Sequence, residues 1–176
     1  MRFPNQSRLR KPAQRVIRSL LLLYLVVPGT VLAETLHCPC KVTHVVDGDT
    51  LFVLDQTKSA RKIWLAGIDA PELAQDYGSH SKRHLEQLVL GQSVEVEYAK
   101  RDRYGRIIGK LIKDGQDINL QQIKAGLAWH FKQGQDELSR QDDAIYRSAE
   151  ETAKTDDLGL WSFAIAIPPW DFRSGR

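Results

Sequence analysis

Four acidic residues lie in two short stretches whose composition suits metal binding and the activation of water. Asp47 and Asp49 belong to VVDGDT, while Asp69 and Glu72 belong to LAGIDAPE. Each stretch follows apolar sequence, which predicts that the acids lie at strand ends and not on a solvated helix face. Hard divalent cations take oxygen ligands from carboxylates, backbone carbonyls and water. If the two stretches meet at one end of a sheet, Asp49 and Asp69 can share such an ion.

Both stretches are also typical of ordinary turns. DGD is a frequent β-turn sequence, and DAPE can simply end a strand. A third stretch, DRYGR, favours the chemical interpretation because it predicts a hairpin that carries Arg103, Tyr104 and Arg106. Guanidinium groups bind phosphate oxygens, and an aromatic ring can stack on a nucleic-acid base.

The elements that must position these residues alternate between short strands and amphipathic helices. Residues 42–54 predict two strands bent at DGD, and RKIWLAGI predicts a third. GSHSKRHLEQLV predicts a helix with Ser79 or Ser81 as its N-cap and Gly91 as its stop. Strands follow in SVEVEY and IIGKLI, and helices in NLQQIKAGLA and QDDAIYRSAEETAK. This order predicts an α+β domain in which a small closed sheet carries helices on one side.

The first 33 residues have the layout of a secretory signal peptide. They contain six Arg or Lys and no Asp or Glu, and the basic part is followed by LLLLYLVV and PGTVLA. Val31 and Ala33 occupy the small-residue positions of a cleavage site, and the apolar run is shorter than the roughly 20 residues of a spanning helix. We expect cleavage after Ala33 and a secreted or periplasmic product, with an uncleaved anchor as the alternative. Residues 34–165 are then one domain, and residues 166–176 a C-terminal tail.

Removal of the first 33 residues reverses the net charge. The whole chain has 25 basic and 22 acidic residues. Without the six basic residues of that segment, 19 basic residues remain beside the same 22 acidic residues, and the net charge becomes negative. The overall charge therefore does not indicate a nucleic-acid partner. Any such binding needs a local basic groove.

Both cysteines lie in HCPC, as Cys38 and Cys40. Two cysteines cannot form a metal site alone, and a bridge across Pro39 is expected to be strained. Free thiols, a local disulfide and an intermolecular disulfide all fit the sequence. We assign the cysteines no role in the chemistry.

Together, the three chemical stretches resemble the staphylococcal nuclease family. VVDGDT, LAGIDAPE and DRYGR occur in the family's order and at its approximate spacing, and INLQQIKAGLAW resembles the helix that follows. The resemblance implies a five-stranded OB-fold β-barrel with three α-helices. It also implies calcium-dependent hydrolysis of DNA and RNA that leaves 3′-phosphate ends, with magnesium or manganese as other possible ions. We expect a monomer without stable membrane association.

The resemblance assigns roles to single positions. Asp49 and Asp69 match calcium ligands, and Ala70 matches a position that contributes its backbone carbonyl. Glu72 matches the glutamate that positions or deprotonates the attacking water, and Arg106 the arginine that binds the scissile phosphate. The chemistry is coherent, because a metal neutralises phosphate oxygens, a carboxylate handles the water and a guanidinium stabilises the developing charge.

Trp64 departs from the family pattern. The family has a second phosphate-binding arginine five residues before the aspartate at Asp69, and an indole supplies neither its charge nor its paired hydrogen bonds. Lys62, two residues earlier and hence on the same face of the strand, could extend to the phosphate. Alternatively, a basic residue reaches in from elsewhere: Arg61, Lys82 or Arg83. Otherwise the site is weakened and Trp64 is a stacking platform for a base.

Two functions fit these residues. The first is a metal-dependent phosphodiesterase that acts on nucleic acid. The second is a catalytically weak or inactive module on the same barrel, which binds single-stranded nucleic acid or a protein partner. A binding module has no evident use for Glu72 beside a cation site, which favours the enzyme. Trp64 and the acidic composition favour the module.

Overall fold

The computed structural model describes residues 34–102, 104–134, 136–163 and 165–175. In chain order these residues form β1 (Glu34–Val45), β2 (Thr50–Leu54), β3 (Ala60–Leu65), β4 (Ile68–Asp69), α1 (Gly78–Val89), β5 (Ser93–Arg101), β6 (Ile107–Lys113), β7 (Gln116–Asp117), α2 (Ile118–Lys124), β8 (Trp129–His130), α3 (Arg140–Thr155) and α4 (Pro169–Arg173). The predicted signal peptide lies outside these residues. None of the helices in the described ranges has the length and apolar character needed to cross a membrane.

Five of the strands close into a barrel. Antiparallel ladders join β1 to β2, β2 to β3, β1 to β5 and β5 to β6, and a parallel pairing of β3 with β6 completes the circle. That last pairing aligns Ile63 with Ile107 and Trp64 with Ile108. The predicted α+β fold, a five-stranded OB-fold barrel with helices, is confirmed.

Alternation along the strands fills the barrel and directs other side chains outward. The interior includes Val42, Val45, Leu51, Val53, Ile63, Leu65, Val94, Val96, Ile107 and Leu111, all buried. Burying each such side chain contributes about 1.5–3 kcal/mol. Because neighbours on a strand point to opposite faces, the burial of Ile63 and Leu65 sends Lys62 and Trp64 to the other face of β3. Both of these residues line a surface cleft.

The start of α1 differs from the prediction. Its N-cap is Tyr77, in the left-handed region at φ 63°, and no side chain caps the helix. Ser79 and Ser81 both lie inside the helix, so the predicted N-cap is wrong. Ser81 is fully buried and donates its hydroxyl to the Leu127 carbonyl at 2.7 Å, a tertiary contact that local sequence does not reveal.

Cys40 lies on β1 beside an irregularity in the register between Leu36 and Cys40. It is fully buried and disulfide-bonded. The free-thiol interpretation is therefore wrong for Cys40.

The segment predicted as a C-terminal tail includes a packed helix, α4. Pro169 occupies its start, where proline's missing N–H costs nothing, and is buried. Trp170 packs against Trp129 and Phe131, with ring centroids 5.7 and 5.9 Å away. These contacts fix α4 against β8 and the residue that follows it.

Candidate active site

A buried glutamine of α2 links the turn of the first acidic stretch to α1. Gln122 of α2 donates to the Gly48 carbonyl at 2.6 Å and to the Ser81 carbonyl of α1 at 3.2 Å. A Cβ on Gly48 would lie 1.8 Å from the Ser81 hydroxyl, so this close approach requires glycine. The Leu65 N–H donates to the Asp49 carbonyl at 2.8 Å and ties the turn to β3.

Asp49 joins the two acidic stretches. Its carboxylate accepts hydrogen bonds from the Thr50 hydroxyl at 2.8 Å and from the Ala70 N–H at 2.7 Å. Burial raises the pKa of Asp49 well above its usual value, and the nearby charge of Asp47 raises it further, whereas the Ala70 N–H partly offsets both. Asp69 also contributes to this rise, so the structure brings the two predicted metal ligands together.

The loop after β4 presents Asp69 and Glu72 at different depths. Asp69 pairs with Trp129 in the β4–β8 ladder, and only 1% of its side chain is exposed. The backbone of Glu72 is fixed, because its N–H donates to the Gln75 side chain and its carbonyl accepts from the Gln75 N–H, both at 2.8 Å. The Glu72 side chain is 36% exposed and therefore accessible from solvent.

The hairpin between β5 and β6 presents Arg106. Asp102 organises this turn, since its carboxylate accepts from the backbone N–H groups of Tyr104 and Arg106 at 2.9 Å and from Arg106 Nε at 2.6 Å. Partial burial acts to raise the pKa of Asp102, but the hydrogen bonds outweigh it and the pKa is lowered. Tyr104 is largely exposed, as a stacking platform must be, and Arg103 lies outside the described residues.

Trp64 supports Arg106. The Arg106 guanidinium carbon lies 4.4 Å from the centroid of the Trp64 ring, a cation–π contact, and 5.7 Å from that of Tyr104. With Nε bonded to Asp102 and one face on the indole, the guanidinium is held in one plane. The residue that stands in place of the expected arginine therefore orients Arg106, the arginine predicted to bind phosphate.

Arg173, at the end of α4, is a site residue that the sequence reasoning missed. Its Nη1 and Nη2 donate to the two Asp69 oxygens at 3.0 and 2.7 Å, and Nη1 also donates to Glu72 at 2.8 Å. Burial raises the pKa of Asp69, although the hydrogen bonds from Arg173 oppose the rise. The hydrogen bond to Asp69 raises the pKa of Arg173, which remains charged. The sequence offers only a weak signal for this contact, a basic chain end shortly after a tryptophan.

One surface cleft contains these groups. It is lined by Asp47, Asp49, Thr50, Lys62, Trp64, Asp69, Ala70, Pro71, Glu72, Tyr104, Arg106 and Arg173. The structure does not bring three other predicted candidates into the cleft. Arg61 pairs with Asp55 at 2.9 Å, Lys82 lies 3.9 Å from Glu86 on α1, and Arg83 is exposed on the same helix. Lys62 does line the cleft, and its ammonium lies 5.9 Å from the ring centroid of Phe52 on the neighbouring strand β2.

The donor set of the cleft fits a hard divalent cation. Among the described residues, no three His, Cys, Asp or Glu side chains form a ready metal site. The candidate set is smaller: the carboxylates of Asp49 and Asp69 with the Ala70 carbonyl, which leaves the remaining positions to water, as calcium and magnesium allow. The two hydrogen bonds from the Arg173 guanidinium to the buried Asp69 carboxylate show that a positive charge is stable beside Asp69. Two acids with raised pKa values gain from such a charge.

Comparison with known proteins identifies the family. Residues 62–163 match the model of the staphylococcal nuclease homologues. The chain is 41% identical over 134 residues to an uncharacterized endonuclease of Escherichia coli, a match that covers 76% of this chain and 83% of that protein. It is 34% identical over 142 residues to a micrococcal nuclease of Shigella flexneri, covering 76% and 79%. An uncharacterized endonuclease of Haemophilus influenzae is 37% identical, covering 76% and 72%.

The chain therefore belongs to the staphylococcal nuclease family, and the predicted membership is confirmed. It is a hydrolase of the nuclease class.

Proposed function

We propose that this protein is an exported, calcium-dependent nuclease that hydrolyses phosphodiester bonds of DNA or RNA and leaves 3′-phosphate ends. The observation that carries this proposal is the presence of Asp49, Asp69, Glu72 and Arg106 in one cleft. The signal-like layout of residues 1–33 supports export, to the periplasm or the medium. Magnesium or manganese can take the place of calcium within the same oxygen ligand set.

The residues of the cleft divide the reaction between them. Glu72 holds a water molecule and takes its proton as the water oxygen bonds to phosphorus. The bond from phosphorus to the 5′ oxygen breaks, and that oxygen takes a proton from solvent and leaves as a 5′-hydroxyl. Arg106, fixed by Asp102 and Trp64, binds the phosphate and stabilises its charge in the transition state. Tyr104 is exposed beside it and can stack on a neighbouring base. A divalent cation held by Asp49, Asp69 and the Ala70 carbonyl would neutralise phosphate oxygens.

Cleavage assays with single cations test this proposal. End-labelled single-stranded DNA and RNA are incubated with the purified protein in calcium, magnesium, manganese or chelator. The proposal predicts cleavage with calcium, none with chelator, and products that a 3′-phosphatase shifts on a sequencing gel. Products with 3′-hydroxyl ends would show that a different phosphorus–oxygen bond is cleaved, and cleavage in chelator would show that the reaction does not depend on a metal.

A second candidate function is nucleic-acid binding without efficient hydrolysis. The contacts of Arg173 with Asp69 and Glu72 favour it, because they neutralise the two acids that the reaction needs. Retention of single-stranded DNA in chelator, with no cleavage after calcium is added, would support this function and exclude the nuclease.

Cell fractionation tests the proposed export. The proposal predicts the protein in the periplasm or the medium, with Glu34 as its N-terminus. A protein that stays in the cytoplasm with residues 1–33 attached would exclude export without affecting the nuclease.

A further inference from the structure

The geometry points to Arg173 as a second phosphate-binding guanidinium, delivered to the active site by the C-terminal helix. This inference rests on the proposed nuclease function and assigns one more residue to it.

The contacts of Arg173 place it at the reacting groups. Nη1 lies 3.0 Å from Asp69 and 2.8 Å from Glu72, and Nη2 lies 2.7 Å from the second oxygen of Asp69. In the proposed reaction a scissile phosphate must approach the same two side chains, because Asp69 would hold the cation and Glu72 the attacking water. A guanidinium within hydrogen-bond distance of both is also within reach of a phosphate placed between them.

The helix that carries Arg173 is attached to the loop that carries Glu72. Gln75 accepts from the Glu72 N–H at 2.8 Å through its side-chain oxygen and donates through its side-chain nitrogen to the Ile167 carbonyl at 3.1 Å. The packing of Trp170 on Trp129 adds a second anchor one turn before Arg173. The backbone is thus held on both sides, while 42% of the Arg173 side chain is exposed and accessible to substrate.

Trp64 explains why a second guanidinium must come from elsewhere in the chain. The indole lies against the Arg106 guanidinium at 4.4 Å, so this position on β3 orients a charge and supplies none. Trp64, Arg106 and Arg173 line the same cleft. Two guanidinium groups then face the acids, one from the β5–β6 hairpin and one from α4.

The same contacts imply competition between Arg173 and the cation. Without a cation, the guanidinium neutralises Asp69 and Glu72. If Asp69 held a cation, the long Arg173 side chain would be released from its carboxylate contacts and could bind the phosphate. Removing the guanidinium should therefore strengthen calcium binding and weaken substrate binding. If Arg173 only blocked the site, its removal would instead increase both substrate binding and turnover.

The first measurement compares kcat and KM for Arg173→Ala and Arg173→Lys in the full chain, with labelled single-stranded DNA and calcium. Arg147→Ala is the matched control, because Arg147 is an exposed arginine of α3 that pairs with Asp143 outside the cleft. Loss of one such electrostatic contact lowers the rate about 10²- to 10³-fold, so Arg173→Ala should show this loss in kcat/KM. The lysine variant should retain part of the rate, and the control all of it.

The second measurement does not depend on turnover. Fluorescence anisotropy of a single-stranded oligonucleotide is compared for Glu72→Gln and for Glu72→Gln combined with Arg173→Ala, both in calcium. Loss of charge-assisted hydrogen bonds should weaken binding about 10- to 100-fold. Calorimetric titration with calcium alone should show tighter binding to Arg173→Ala than to the unmodified chain.

The third measurement asks whether a guanidinium on β3 replaces Arg173. Adding Trp64→Arg to Arg173→Ala should recover part of the lost rate, because a new charged contact worth about tenfold or more outweighs the loss of the indole that orients Arg106. No recovery would mean that a guanidinium on β3 cannot replace Arg173. Melting curves of every variant separate this effect from misfolding, and Arg173→Lys provides a folded comparison if the alanine variant is unstable.

The outcomes distinguish this inference from the proposed function. A rate increase in Arg173→Ala, or an unchanged rate with unchanged oligonucleotide binding, would overturn the role of Arg173 and leave the nuclease intact. Absence of cleavage by the unmodified chain with every cation would overturn both.

Discussion

The acidic and basic walls of the cleft are built in different ways. The acidic wall, Asp49, Asp69 and Glu72, comes from two short stretches that hydrogen bonds hold in place. Buried Gln122 bonds the backbone of the first stretch, the Ala70 N–H of the second stretch bonds Asp49, and Glu72 bonds half-buried Gln75. The basic wall, Lys62, Arg106 and Arg173, comes from β3, the β5–β6 hairpin and α4. The two predicted metal ligands, Asp49 and Asp69, are buried, whereas the Arg106 and Arg173 side chains are 27% and 42% exposed and Glu72, the predicted base, is 36% exposed.

The chemistry of the two walls explains this difference. Cation ligands must approach one ion at fixed short distances, so they require a rigid backbone. A phosphate is a larger anion with several oxygens, and a long arginine side chain can reach it from many positions. The acids of such a site should therefore keep their places in the sequence, whereas a positive charge can move from one segment to another.

The largest effect on the basic wall is expected from Arg106→Ala. Arg106 is the guanidinium that the hairpin and Trp64 hold in one orientation. Its removal should lower kcat/KM about 10²- to 10³-fold in calcium, while calcium affinity changes little. Steady-state cleavage and calorimetry check these two quantities. A comparable loss of calcium affinity would show that the walls are not independent.

On the acidic wall, Gly48→Ala should disturb the predicted metal ligands without changing a charged residue. The new Cβ would meet the Ser81 hydroxyl at 1.8 Å and the Ala70 side chain at 2.7 Å. Overpacking of this kind costs about 1–3 kcal/mol of unfolding free energy, and movement of the turn should weaken calcium binding. Urea denaturation and calcium titration measure the two effects.

Gly115→Ala is the control for that variant. Unlike at Gly48, a Cβ added at Gly115 would meet no atom within 4 Å, although the φ of Gly115 is +74°. Its backbone strain should lower stability without a change in calcium affinity. If Gly115→Ala and Gly48→Ala weaken calcium binding equally, the close packing at Gly48 does not position Asp49.

Much of the fold and of the acidic wall could be predicted from sequence because the signals are local. Alternation defines the strands, and DGD and DAPE place the acids beside them. The position of Arg173 depends on packing between Trp170 and Trp129, and the stacking of Trp64 on Arg106 depends on the parallel register of β3 and β6. Such contacts between distant segments leave no short-range pattern. The misplaced N-cap at Ser79 or Ser81 has the same cause.

Trp64→Leu should have a smaller effect than Arg106→Ala, because it removes the support for the guanidinium and leaves the charge. A cation–π contact is worth about 0.5–2 kcal/mol, which corresponds to roughly a 2- to 30-fold change. Kinetics should show this loss mainly in kcat. A loss as large as that of Arg106→Ala would mean that the indole contacts the substrate itself.

The smallest effect concerns a carboxylate outside the cleft. Asp55 accepts hydrogen bonds from Thr57, Ser59 and Arg61 in the β2–β3 turn, and these lower its pKa to about 2. A lowered pKa in the folded state contributes stability above the unfolded value near 4, which is lost as the pH falls through about 2. Asp55→Asn should therefore lower the melting temperature at pH 7 and lose this difference near pH 2. A pH-independent difference would exclude the charged hydrogen bonds as its cause.

The central claim is that the cleft is a metal-dependent hydrolytic site in which Glu72 activates water. Cleavage of labelled single-stranded DNA by the unmodified chain and by Glu72→Gln, each in calcium and in chelator, tests it most directly. The account predicts cleavage only by the unmodified chain in calcium, with a loss of about 10²- to 10⁴-fold in the variant. Equal cleavage by Glu72→Gln, or cleavage that continues in chelator, would contradict it.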